Sequence, residues 1–164
     1  MPFNGLYSIQ GIDLKWPNDI LLNEKKCTGS LMEILSDAIN PKLSLGLGVN
    51  VSQMKFPREL QSLSTSLINA GVDLPCREQI LADLIECFKQ GLKYLNEPQR
   101  IIDDYSTVSS FVKGVKLEYL QDDKQCFGIS AGLSDSGGLW IQDEQGAVRE
   151  YYGSEIQKVR KQKA

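Results

Sequence analysis

The five residues Lys15-Trp16-Pro17-Asn18-Asp19 constrain this chain more than any other stretch. A cation, a large aromatic, a proline, an amide and a carboxylate follow one another, and neither the helical nor the strand period fits that order. Pro17 fixes its own φ, lacks a backbone donor and pushes Trp16 toward extended geometry. Asn and Asp just behind a proline favour a turn. The block therefore reads as the end of one strand turning sharply into the next, with polar side chains held at the bend. Bends on a rigid scaffold are where binding groups tend to sit.

The flanking residues give that bend its strands. Residues 1–10 carry little signal, and strand propensity starts at Ile12. The apolar run Ile20-Leu21-Leu22, followed by polar Asn23-Glu24-Lys25-Lys26, predicts a hairpin with Cys27 to Leu35 as its return strand. Asn40-Pro41 marks the next turn. Lys42 to Val51 then alternates, with Leu43, Leu45, Leu47, Val49 and Val51 on one face and Ser44, Gly46, Gly48 and Asn50 on the other. Glycine inside a strand weakens it and gives nothing to pack. Gly46 and Gly48 on one face leave room for another backbone, or for a flat ligand lying on the sheet and ending at Asn50.

Residues 52–64 read as a surface loop, and Ser62 to Gly71 as a short helix ended by its glycine. The helix predicted over Arg77 to Leu95 repeats Leu81, Leu84, Ile85, Phe88, Leu92 and Leu95 at three- and four-residue spacing, a core-facing stripe. Another helix begins near Pro98 and carries Ile101, Ile102 and Tyr105. From about residue 112 short alternating stretches are divided by Asp/Gly turns at 122–124, 134–138 and 144–146, the pattern of a small all-β barrel. The boundary falls at Ser109 to Lys113 and divides the chain into 1–111 and 112–164. The basic residues Lys158, Arg160, Lys161 and Lys163 read as a solvated chain end, with a phosphate contact by Arg160 as the alternative.

Composition excludes several chemistries. The chain has no histidine, so it holds no Ser-His-Asp or Cys-His set of its own. Cys27, Cys76, Cys87 and Cys126 include no CxxC pair, which leaves buried free thiols in a reducing cytoplasm as the expectation. A net charge of −3 argues against nucleic-acid binding by charge alone. No apolar run is long enough to span a membrane, and no signal peptide is visible. At 164 residues the chain can bury about 70% of its extended surface without staples.

The block Lys15-Trp16-Pro17-Asn18-Asp19, Lys26 three residues before Gly29, Glu33, and Gly46-x-Gly48-x-Asn50 together resemble the catalytic centre of the biotin–protein ligases. Phe127-Gly128-Ile129-Ser130 and Gly153-Ser154-Glu155-Ile156 are similar to that family's SH3-like barrel. The resemblance implies an α+β fold: part of a class II aminoacyl-tRNA synthetase-like mixed sheet with helices, then the barrel. It implies that biotin and Mg·ATP form biotinyl-5′-adenylate, which a lysine of a carboxylase's biotin carboxyl carrier domain attacks. Lys26, seconded by Lys15, would be the catalytic cation. Biotin would lie against Lys26, Gly29, Gly46 and Gly48, the adenylate would meet Asn18, Asp19, Asn50 and Arg160, and Asn18 and Asp19 would offer Mg²⁺ the oxygen ligands it takes. A homodimer through the sheet is an assembly it allows. The family also has a glycine- and arginine-rich loop well upstream of the first block, whereas only 14 residues precede Lys15 here. A truncated ligase is one expectation; a non-catalytic remnant or interaction module is the other. Against these roles stand plainer ones: Lys15 pairing with a surface carboxylate, Trp16 filling the core, and Glu33 satisfying a core partner.

Overall fold

The computed structural model describes residues 9–35, 42–73 and 76–162. The Asn40-Pro41 turn and Lys163 lie outside them. Strands β1 (Ile12–Lys15), β2 (Asp19–Leu22), β3 (Lys25–Leu35) and β4 (Lys42–Val49) form an antiparallel sheet in chain order. The predicted bend joins β1 to β2, and the Trp16–Pro17 peptide is cis. The next turn is only Asn23-Glu24, both with left-handed φ, 49° and 65°. Two-residue turns of this hand match the twist of the strands they join. Lys25 and Lys26, predicted as turn, therefore open β3.

The second sheet comprises β5 (Lys113–Gln121), β6 (Lys124–Leu133), β7 (Leu139–Asp143), β8 (Val148–Tyr151) and β9 (Gln157–Lys161), in the order β8-β7-β6-β5-β9. The Tyr119 ring on β5 and the Tyr151 ring on β8 are 5.6 Å apart. Three strand spacings in a flat sheet would separate them by about 14 Å. The sheet therefore curls on itself, with its pairing left open between β8 and β9. The predicted solvated tail is corrected here: it is an edge strand, with Val159 buried and Ile156 buried just before it. Its cations hide the alternation, because Val159 alone marks the inward face.

Between the sheets lie α1 (Arg77–Gly91), a 3₁₀ turn at Leu92–Tyr94, and α2 (Pro98–Val108), whose proline sits at the first turn where its missing N–H costs nothing. The stripe predicted to face the core does not. Ile80 is the buried residue of α1, while Leu81 is 59% exposed and Leu84, Ile85, Phe88, Leu92 and Leu95 are exposed with it. The short helix predicted over Ser62 to Gly71 is a run of turns. Glu33 is exposed on β3, so it satisfies no core partner. All four cysteines are free, but Cys27 alone is buried. Among the described residues no helix is long and apolar enough to cross a membrane.

One core joins the halves. Trp16 and Leu21 of the first sheet are buried with Phe111, Val112, Leu117, Leu139, Ile141 and Tyr151. Asp13 accepts from the Ser110 amide at 2.8 Å and from its hydroxyl, and Lys161 lies 3.6 Å from the same carboxylate.

Candidate active site

Register builds the site. Lys15 pairs with Asp19, Asp19 with Gly29, and Gly29 with Gly48, one residue on each of the four strands. Directly paired residues point to the same face of a sheet. A row of side chains thus crosses the sheet from two charges to two glycines. Gly46 continues the bare surface two residues along β4, opposite Leu31.

Lys26 joins this face through an irregularity. Ile20 pairs with Thr28 but Leu21 pairs with Lys26, so Cys27 is an extra residue in β3. Such bulges bend a strand and re-aim its side chains. Without it Lys26, three residues from Gly29, would point to the opposite face. With it, the Lys26 ammonium reaches 2.6 Å from Asp19 Oδ1. Lys15 holds the other carboxylate oxygen at 3.4 Å. A Cβ built on Gly29 would lie 3.0 Å from Lys26 Nζ and 3.4 Å from Asp19 Oδ1. A side chain at Gly29 would press on the ion pair, and the end of Lys26 would have to give by a few tenths of an ångström.

These groups border a trough of about 680 Å³ lined by Asn18, Lys26, Gly29, Gly46, Gly48 and Asn50, among others. The predicted site residues other than Lys15, Asp19 and Arg160 line it directly. Lys15 and Asp19 lie beside it through their ion pairs. Asn18 is fixed by a two-way link to Ser30: its side-chain nitrogen donates to the Ser30 carbonyl, and its own carbonyl accepts from the Ser30 amide at 2.9 Å. Asn50 closes the other end. Its backbone N–H donates to the Cys27 carbonyl at 2.9 Å and its side-chain nitrogen to the Thr65 carbonyl at 3.0 Å.

The segment from Leu63 to Thr65 carries a role that sequence reasoning missed. Beyond Thr28, β3 has no β4 partner. There the Lys26 N–H donates to Leu63 O at 2.8 Å and the Thr65 N–H to Lys26 O at 2.9 Å. This parallel bridge fixes the backbone from which the lysine springs. Thr65 and Ser66 are buried. Burial pushes the Cys27 thiol up, partly offset by Thr28, so it stays protonated at neutral pH. Burial, and then the charges of Asp13 and Asp19, push the Tyr105 phenol up, keeping it neutral against the shared core.

No family model matches the chain. Its sequence is 32% identical to the biotin–[acetyl-CoA-carboxylase] ligase of Mycobacterium tuberculosis over 129 residues, 78% of this chain and 46% of that protein. It is 28% identical to the bifunctional ligase/repressor BirA of Bacillus spizizenii over 159 residues, 93% of this chain and 49% of that protein. The apo biotin protein ligase of Aquifex aeolicus superposes with a TM-score of 0.75 at 29% identity, covering 92% of this chain and 66% of that one. The chain is a relative of the biotin–protein ligases. It spans about half the length of the curated relatives it matches. The Aquifex biotin protein ligase has also been solved in complex with biotin and ATP, and this chain matches that structure with a TM-score of 0.74.

One assignment that the biotin–protein ligase resemblance implied, Arg160, sits apart from the trough. Arg160 lies on β9 opposite Glu118, and lines a separate depression with Tyr119, Gln125 and Lys158. Asn18 lines the trough and Asp19 borders it, with both Asp19 oxygens engaged by the Lys15 and Lys26 ammonium groups.

Proposed function

We propose that this chain acts in the ATP-dependent attachment of biotin to a lysine of a biotin carboxyl carrier domain, through biotinyl-5′-adenylate. The observation that carries this reading is the Lys26 ammonium, held by Asp19 directly over Gly29 at the edge of a glycine-floored trough. The biotin carboxylate attacks the α-phosphorus of ATP and pyrophosphate leaves. The neutral amine of the carrier lysine then attacks the acyl carbon, and AMP leaves. Both steps gather negative oxygens, so a preorganised cation is the group most needed. Lysine suits this because it is a compact charge on a flexible stem. Asp19 aims that charge before substrate arrives, and Gly29, Gly46 and Gly48 let a flat bicyclic ligand lie on backbone.

In this reading Asn18 and Asn50 close the trough's two ends, residues 1–111 carry the site, and residues 112–164 form an SH3-like domain. One observation favours a second reading, an interaction module without turnover: Leu31, Met32, Ile34, Leu43 and Leu45 all stand exposed on the first sheet. Calorimetric titration of the chain with biotin, and with a non-hydrolysable biotinyl-adenylate analogue, separates the two. Saturable binding that Lys26→Ala weakens supports the ligase reading. No saturable heat for either ligand overturns it.

A further inference from the structure

The catalytic turn is seated on the second sheet at two points. The Trp16 indole N–H donates to the carbonyl of Gly137, in the β6–β7 turn, at 3.1 Å. The next residue, Pro17, meets Gly153 in the β8–β9 loop. A Cβ built on Gly153 would lie 2.9 Å from Pro17 Cγ and 3.4 Å from Pro17 Cβ. Gly153 has no left-handed φ, so its backbone does not demand glycine. What demands it is the proline ring, which has no flexible end to swing aside.

Neither partner yields readily. The loop is anchored on both sides by buried Tyr151 and Ile156. The Glu155 carboxylate accepts from the Tyr152 amide at 2.7 Å, and the Glu155 amide donates back to the Tyr152 carbonyl at 2.9 Å. On the other side Trp16 is only 4% exposed. The residue after Pro17 is Asn18, tied both ways to Ser30, and the one after that is Asp19, which aims Lys26. A displacement of Pro17 therefore passes within two residues to Asn18, which lines the trough, and to Asp19, which borders it.

We propose that Gly153 is a positioning residue: the β8–β9 loop is a template against which Pro17 rests, and it sets where Asn18 and Asp19 stand. This goes deeper into the ligase reading, and its functional part rests on that reading. Gly153 touches no reacting atom, and its effect runs through Pro17.

The test uses the full chain with Gly153→Ala, and Gly91→Ala as control, because a Cβ at Gly91 meets nothing within 4 Å. Amide NMR reports the turn without any ligand. Gly153→Ala is expected to move the Asn18 side-chain NH₂ and the Ser30 amide signals, leave Leu139 and Ile141 in place, and weaken biotin binding about tenfold, as misplacement of positioning groups does. Gly91→Ala should do none of these. If Gly153→Ala does not fold, Trp16→Phe removes the indole donor without adding volume, and the same signals should move. The proposal is overturned if, in the variant that folds, Asn18 and Ser30 keep their shifts. If the unaltered chain binds no biotin, the ligase reading falls alone, and the NMR comparison still decides the template.

Discussion

In the second sheet Leu117, Leu139 and Ile141 are at most 1% exposed, whereas in the first Leu31, Met32, Ile34 and Leu43 are between 56% and 68% exposed. The same residue types meet opposite fates because the second sheet curls around its own apolar face and the first remains open. A helix that could have covered the first sheet, α1, leaves an apolar depression of about 290 Å³ between itself and the strands, lined by Ile12, Leu22, Leu47, Val49, Ile80 and Leu84. The half that holds the trough thus lends two anchors, Trp16 and Leu21, to the other half's core. In the ligase reading stability and binding fall to different sheets, and substitutions should separate them.

The largest effect is expected in the shared core. Leu117→Ala or Ile141→Ala should cost about 2–5 kcal/mol in urea unfolding, the usual penalty for truncating a sealed aliphatic side chain. Ile34→Ala, on the open sheet, should cost far less. Equal losses at the two sites would erase the contrast.

Lys26→Ala comes next. Losing a hydrogen bond to a charged group costs about 1.5–3 kcal/mol, so biotin affinity should fall at least tenfold while the unfolding midpoint barely moves. Lys15→Ala should do less, because its ammonium stands 3.4 Å from Asp19 and does not line the trough, against 2.6 Å for Lys26. A larger loss at Lys15 in titration calorimetry would reverse the assignment.

The link between the halves is weaker. Asp13→Asn or Lys161→Met should each lower stability by about 1 kcal/mol, since the group is partly solvated and one neutral hydrogen bond survives. Chemical denaturation of both single variants and the double would show non-additive losses, because the residues meet at Ser110. Additive losses would mean that the contacts act separately.

The smallest effect is predicted for the exposed apolar face. Leu43→Thr with Leu45→Thr should change stability by less than about 0.5 kcal/mol, as surface substitutions do. It should also reduce binding of an apolar fluorescent dye, since contiguous exposed apolar surface is what such dyes report. Undiminished dye binding would place the accessible surface elsewhere.

Much of this was legible in the residues. The alternation from Lys42 onward announced β4 and its bare face, and the proline-marked bend announced the β1–β2 turn. Both rest on local patterns of a few residues. The exposure of α1 was not legible, because helical periodicity identifies an apolar face without saying what covers it. β9 was hidden by Lys158, Arg160 and Lys161, since an edge strand tolerates charge on every solvent-facing position. Within the site, Lys26 and the glycines could be chosen from the sequence. Their common face could not, because it depends on one extra residue in β3 whose presence no composition reveals. The Leu63–Thr65 bridge was equally silent, being a contact across more than thirty positions of chain.

That extra residue bears on how the chain could be edited. A strand is a two-state counter, and its parity decides which side of the sheet each position serves. Drawing Cys27 into the regular ladder at unchanged length would swing Lys26 to the far side with every trough residue still present, whereas deleting Cys27 would leave Lys26 two residues from Gly29 and on the same side. Exchanging Cys27 for another small side chain keeps the count and leaves the lysine where it is. For a library built on this region, the bulge is the feature to hold fixed, because a spacing of three between Lys26 and Gly29 gives a common face only while the extra residue stays outside the ladder.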